Sequence, residues 1–349
     1  MDKQPEDKQP EYTQTENVAE KPRKRGCAGH CLKFWWAYLI AVIVIVVIVV
    51  PVVILVGVPK IAQQKLDHAE LILDSIVMTN ARAQNFTMSI NTEIKSDGKV
   101  KATIEPFEGV MYLEDLPEHK PFAKVHFPET TSAKSQIINI TQFTMIDDLD
   151  AFTTFNTWLL HNETFRVTVE GDTKVHVKGI ARAYGVTFKK TIDMPGLRML
   201  DGTTVTNTTV NATAPKGQNN FFGTVRIPNY SKVAFELGNT SFHNYLLDKE
   251  IGTVYLDNLS LKPGNDNVYP MRATIDDLGY VTGLAVQKPY CDKLNGVLPF
   301  KLRGKSVINH GESLSYFADA LASGNQTVQI DIRGTVKRSM GFTLGCTDE

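Results

Sequence analysis

Two apolar patterns of different period divide this chain. From Leu39 to Val58, twenty successive residues carry no charge, and fifteen of them are Val or Ile. At 1.5 Å of helical rise per residue, such a run spans the roughly 30 Å hydrocarbon core of a bilayer. Val and Ile are poor helix formers in water, but hydrocarbon offers the backbone no partner except itself, so helix is forced. The pattern predicts a transmembrane helix over 34–58, with Pro51 as the place for a kink. A cleaved leader has an apolar stretch of about 7 to 15 residues and a small-residue cleavage site. This segment has neither and is expected to remain as a signal-anchor.

Past the anchor the period becomes two. Phe86, Met88 and Ile90 alternate with polar neighbours, as do Val100, Ala102 and Ile104, Val175 and Val177, and Val233, Phe235 and Leu237. That is the pattern of half-buried antiparallel strands. Two stretches, Asp147–Leu160 and Gly311–Ala322, read instead as short helices, the second with Leu314, Phe317, Ala318 and Leu321 at helical spacing.

The strands and helices recur as a repeat. Asn162-Glu-Thr-Phe-Arg-Val-Thr-Val-Glu-Gly171 aligns without gaps on Asn325-Gln-Thr-Val-Gln-Ile-Asp-Ile-Arg-Gly334, each following one of the two helices. Upstream, Ile76-Val-Met-Thr-Asn80 matches Val225-Arg-Ile-Pro-Asn229. The offset grows from 149 to 163, so the second copy carries 14 extra residues, expected around Asn265–Gly283. The segment Thr203–Gly217, rich in Thr and Asn and ended by Pro215-Lys-Gly, reads as a linker. The expected architecture is mainly β: a disordered cytosolic tail over 1–33, the anchor, two tandem immunoglobulin- or fibronectin-like β-sandwich domains over 59–202 and 218–349, each with a short helix, and the linker over 203–217.

Charge orients the anchor. Lys21, Arg23, Lys24, Arg25 and Lys33 precede it with Phe34, Trp35, Trp36 and Tyr38 at the headgroup level, while only Lys60 and Lys65 follow nearby, which places the amino terminus in the cytosol. Residues 1–20 hold six acids against two lysines and few apolar side chains, a composition that cannot bury a core and is expected to be disordered. The basic collar suits anionic cytosolic lipid, and its shortness and place beside a bilayer argue against nucleic acid. Beyond the anchor, 30 basic residues face 32 acidic ones, a balance that by itself points to no polyanion partner.

Sequons support the same topology. Asn85, Asn139, Asn162, Asn207, Asn211, Asn229, Asn239, Asn258 and Asn325 each open an Asn-x-Ser/Thr triplet, all nine beyond the anchor where chance gives about three. They are the candidate glycosylation sites of a lumenal or extracellular part. Asn258 shares alternation parity with Val254 and Leu256, so an inward orientation competes with its use. Cys291 and Cys346 are the two cysteines on the oxidising side and are expected to form a disulfide. Cys27 and Cys31 lie beside the membrane; with His30 they make an incomplete zinc set, and reversible palmitoylation is the expected use.

Catalytic chemistry leaves no signature. The eight His form no His-x-x-x-His pair, and neither a Gly-x-Ser-x-Gly elbow nor a glycine-rich phosphate loop occurs. Asp147, Asp148 and Asp150 suit the first turn of a helix, where carboxylates cap free amides. Asp276 and Asp277 are expected in a loop without the spacing of an EF-hand. Phe152, Phe155, Trp158 and Leu159 on one helix, and Leu314, Phe317 and Leu321 on the other, are the ordinary core stripe of a helix. Phe155, Leu159, Phe317 and Leu321 are also the candidate walls of an apolar groove. No catalytic, cofactor-binding or metal residue is expected.

Specific residues resemble a known family. Val58-Pro-Lys-Ile-Ala-Gln-Gln, the strand ending Thr79-Asn80, and above all Ile227-Pro-Asn-Tyr-Ser231, Glu236-Leu-Gly-Asn, Ile251-Gly, Leu259-Ser-Leu and Pro263-Gly264 are similar to a fungal single-pass membrane family of unassigned function. Its domains resemble the late-embryogenesis-abundant type 2, or water-stress, β-sandwich. The resemblance covers 59–349, with one departure at Ala81, which follows Asn80 where the pattern has Pro or Ser. It implies a vacuolar membrane, with the plasma membrane second, and a domain that holds lipid or another apolar ligand; it brings no catalytic residues. Two function classes follow: a non-enzymatic binding or tethering module, expected, that meets a lipid or a membrane-associated protein, and a lumenal hydrolase with dispersed carboxylates, whose residues would leave no local signature.

Overall fold

The computed structural model describes residues 27–347, apart from the side chains of 27–34. The acidic tail, the collar residues Lys21 to Arg25, and the Cys27 and Cys31 side chains lie outside the described residues. Helix α1 (Cys27–Val52) opens inside the segment expected to be disordered tail. Between Cys27 and Lys33 only Gly29 opposes helix, at about 1 kcal/mol. After Pro51 the chain takes a π-helical turn, Val53–Gly57, then continues as α2 (Val58–Asp67). Proline lacks the amide that an α-turn uses and crowds the carbonyl four residues back, and a wider turn absorbs both defects. Among the described residues, Trp35–Asp67 is the one helical stretch long and apolar enough to cross a membrane, and its apolar window is wholly unburied.

Residues from Pro59 onward form one compact unit, and Met1–Val58 another. The first repeat supplies β1 (Glu70–Thr79), β2 (Asn85–Lys95), β3 (Ala102–Ile104), β4 (Phe107–Leu113), β5 (Ala123–Phe127), β6 (Thr130–Thr131), β7 (Ser135–Met145), α3 (Leu149–His161), β8 (Thr164–Val177) and β9 (Ala183–Pro195). The remainder supplies β10 (Thr204–Val210), β11 (Phe221–Arg226), β12 (Val233–Leu246), β13 (Lys249–Leu261), β14 (Val268–Ile275), α4 (Leu278–Val286), α5 (Tyr290–Leu294), β15 (Val297–Asn309), β16 (Glu312–Ser313), α6 (Ser315–Ala322), β17 (Gln326–Asp331) and α7 (Ile332–Met340).

The fold is mainly β, as expected, in two sheets. Six strands make one, in the order β5-β4-β8-β3-β6 with β9 on the other side of β8. Eleven make the other, along β10-β11-β14-β13-β12-β1-β2-β7, with β15 also paired to β12 and carrying β16 and β17. The inward residues of β1, β2 and β7 (Ile76, Phe86, Met88, Ile138, Ile140) join those of β4, β5 and β8 (Met111, Val125, Val167) in one buried cluster, a sandwich-like arrangement.

The two repeats are not separate bodies. β1 runs parallel to β12, with Ile76 opposite Val233 and Met78 opposite Phe235. In the turn after β1, Ala81 is buried, and the second repeat supplies three of the turn's hydrogen bonds. Asn309 Nδ2 donates to the Ala81 carbonyl at 3.1 Å, Tyr316 Oη to that of Arg82 at 2.8 Å, and the Ala83 amide to Glu312 at 2.9 Å. That amide and the Arg82 guanidinium hold the Glu312 carboxyl below the usual glutamate range. Helix α3 packs on α6, with Phe152 stacked on Phe86 at 5.2 Å and edge-on to Tyr316 at 4.9 Å.

Nor is 203–217 a linker. Its first half is β10, paired to β11 and bound by α7: Thr208 Oγ1 lies 2.5 Å from Thr335 Oγ1, and Ser339 Oγ accepts from the Val210 amide at 2.8 Å. The β-branched residues that composition marks as a polar loop are also good strand formers. Only the part after Val210 is turn.

Helix α2 closes an edge of the six-stranded sheet. The Gln63 amide pairs with the Thr187 backbone on β9 as another strand would, at 2.8 and 2.9 Å. Lys190 donates to the Asp67 and Ala69 carbonyls at the end of α2, where a cation complements the helix dipole. Burial lowers its pKa.

Candidate functional site

The seam between α3 and α6 brings two of the four candidate groove residues together. Asp148 caps α3 through the Ala151 amide at 2.9 Å, as its position predicts, and starts the helix so that Phe152, Phe155 and Leu159 face the core. Leu159 and Leu321 both line a small apolar cavity of about 40 Å³, with Leu197, Phe235, Leu259 and Asn156. Phe155 and Phe317 do not reach it. Phe155 stacks on Phe122 at 4.2 Å and Phe317 on Phe235 at 5.8 Å, each about 4% exposed, so both are packing residues. A single groove with all four as walls is therefore absent among the described residues.

Asn156 was not among the candidates. Its Nδ2 donates to the Phe152 carbonyl at 2.8 Å, but its Oδ1 is buried without a partner. An unmet buried acceptor costs about 1–3 kcal/mol, and the cavity supplies no second polar group to hold a water. The signal in sequence is a polar residue within an otherwise apolar helical stripe. Asn244 repeats the arrangement: its unpaired Oδ1 belongs to a cavity of about 20 Å³ among Val205, Phe221, Met271, Phe300 and Val328.

The motif that carries the family resemblance is structural. Asn229 is 2% exposed, and its Oδ1 accepts from the Ser231 amide at 2.9 Å and hydroxyl at 2.7 Å while Nδ2 donates to the Val233 carbonyl at 2.8 Å. Its backbone pairs with Gly264, which brings Ile227–Ser231 and Pro263-Gly264 together in one turn. The Asn229 sequon is therefore closed to a glycan by the turn it builds. Glycopeptide mapping of the chain expressed through a eukaryotic secretory pathway is expected to find Asn229 bare in folded protein; a glycan there would require this turn to open.

Other sequons face outward. Asn139, Asn207, Asn211, Asn239, Asn258 and Asn325 are exposed, and Asn85 and Asn162 are half-buried. Asn258 escapes its inward parity because the β12–β13 ladder shifts register between Gly238 and Thr240, and its own φ is +52°. Asn207 lines a surface cleft of about 640 Å³.

Cys291 and Cys346 form the expected disulfide, with Cα atoms 5.7 Å apart. Asp292 lies beside it, but a disulfide offers no thiolate to a metal. Asp277 is a cap rather than a loop residue, accepting from the Tyr280 amide at 2.8 Å to start α4. Helices α4 and α5 have no counterpart between β2 and β7 and hold the extra length of the second copy, after β14 rather than across it.

Comparison with known proteins adds a family of unknown function. Residues 120–244 match the family described as "Protein of unknown function (DUF3712)". No curated protein matches the chain. Among solved structures, a bacterial adhesin from Mobiluncus mulieris containing intramolecular disulfide, isopeptide and ester bond cross-links is 8% identical, with 68% of this chain and 80% of that one covered and a TM-score of 0.20. The major pilin GBS80 of Streptococcus agalactiae, as a 35 kDa C-terminal fragment, is 10% identical over 80% of this chain and 96% of that one, with a TM-score of 0.17. Similarity at that level carries no argument about this chain.

Proposed function

We propose that this chain is a non-enzymatic type II membrane glycoprotein with tandem late-embryogenesis-abundant type 2-like repeats. In this reading residues 1–33 are cytosolic, the β-rich body is lumenal at a fungal vacuolar membrane, and that body binds a lipid or other apolar ligand or a protein partner near the bilayer. The observation that carries the reading is the α3–α6 cavity, apolar on every side except for one unsatisfied amide oxygen. A native structure that leaves such an acceptor unpaired is one that a donor-bearing apolar guest would complete. At about 40 Å³ the cavity admits one small group, so an acyl chain enters only where α3 and α6 part. Each methylene buried there would return about 0.8 kcal/mol. The basic flank of the anchor and the one-sided sequons support the orientation.

The test is native mass spectrometry of the full chain released from detergent. A stoichiometric lipid adduct, retained at activation energies that strip detergent, is the expected result. A bare mass together with turnover in a hydrolase panel would overturn the reading in favour of an enzyme.

A further inference from the structure

One end of the six-stranded sheet gathers positive charge without counter-charge. Strand β3 lies between β6 and β8, and the Lys178 amide donates to the Lys101 carbonyl at 2.9 Å, which makes these two lysines neighbours across the ladder. Lys134 is placed by the Ser96 amide, which donates to its carbonyl at 3.0 Å. The three lysines line a surface cleft of about 660 Å³ together with His176 and the side chains of Thr103 and Thr131, and no carboxylate lines it. Two flanking acids are already engaged: Asp97 by Lys65, and Glu105 by His176 at 2.6 Å. The ladder between β3 and β8 and the Ala102 amide bond to Ser132 Oγ at 2.7 Å fix the floor.

Like charges held side by side on a sheet are destabilising. A fold that lines one cleft with three lysines and no carboxylate departs from local optimisation, as functional sites do. The volume falls within the range of small-ligand sites, and three separate ammonium donors match a ligand with several anionic oxygens.

We propose that this cleft binds a phosphate-bearing polyanion, either free in solution or displayed as a lipid headgroup. The headgroup source rests on the membrane-anchored reading above. The cleft itself depends on neither the anchor nor the α3–α6 cavity.

The test uses the full chain in phosphatidylcholine nanodiscs, titrated calorimetrically with inorganic pyrophosphate. Saturable binding that weakens with added salt is expected. Each of Lys101→Gln, Lys134→Gln and Lys178→Gln should lower affinity about tenfold, the size of one charge-assisted hydrogen bond. The triple variant should lose binding while melting no lower than the wild type, because all three side chains are exposed and their mutual repulsion is removed. Nanodiscs that also contain phosphatidylinositol phosphate separate the sources: pyrophosphate excluded from the wild type there indicates a headgroup, and unchanged binding indicates a free ligand. No saturable binding in either disc, or a triple variant that binds as wild type does, overturns the proposal. The triple variant should still retain any lipid found by native mass spectrometry, so failure here is distinct from failure of the function proposed above.

Discussion

Replacing Phe317 by Asp is expected to unfold the β-rich body. Phe317 is about 4% exposed and packs on Phe235 and Tyr316, with ring centroids 5.8 and 4.7 Å away. Removing a buried Phe costs about 3–5 kcal/mol through lost transfer energy and the cavity left behind. An unpaired carboxylate in the same place adds several more, and the total rivals the roughly 5–15 kcal/mol that holds a domain together. Because β1 and β12 share one sheet, the loss should extend through both repeats rather than stay within the second. Near-ultraviolet circular dichroism of the full chain in detergent checks this against Phe317→Leu, which should cost less than about 1.5 kcal/mol. A folded Phe317→Asp protein would take the residue out of the core and restore it as a groove wall.

The second large effect is the loss of the disulfide. Cys346→Ser opens a loop closed over a sequence separation of 55 and is expected to cost about 4 kcal/mol in the chain-entropy account. For a body of this size that is a fall of about 7 °C in melting temperature. Cys291 lies buried within the short helix α5, while Arg333 Nε donates to the Leu344 carbonyl at 3.0 Å and the Thr347 amide to that of Val286 at 2.9 Å. The carboxyl-terminal segment, though largely exposed, is therefore tethered to the body by these bonds and the disulfide. Differential scanning fluorimetry should show wild type in reductant melting with Cys346→Ser in buffer. A variant that melts within about 2 °C of the oxidised wild type would show that the bond contributes little.

The apolar run, the alternating strands, helices α3 and α6, the Asp148 cap and the disulfide were legible because each depends on near neighbours or, for the disulfide, on a choice of two. The repeat shows where that legibility stops. Asn162–Gly171 and Asn325–Gly334 share one pattern, yet β8 continues to Val177 in the six-stranded sheet, while β17 ends at Asp331 and returns to β15. The aligned pair Thr168 and Asp331 decides the local difference. Asp331 accepts from the Gly334 amide at 2.7 Å and starts α7, whereas Thr168 stays in the strand, bonded to Thr191 and Glu114 at 2.7 and 2.6 Å. An acid three residues before a glycine signals such a cap only once the strand has a reason to end.

By itself, then, the sequence determined the anchor, the β character and period of the body, and which helices interrupt it, because hydrophobic periodicity and capping act over a few residues. Only the tertiary structure decided that β10 is a strand, that Asn229 is buried and Asn258 is not, that Leu159 and Leu321 share a cavity while Phe155 and Phe317 do not, and that Lys101, Lys134 and Lys178 line one cleft. Each of those outcomes depends on which strand pairs with which across tens of residues, and on bulges that reverse a side chain's face. Composition averages such charges to neutrality, and alternation counts cannot see a register shift.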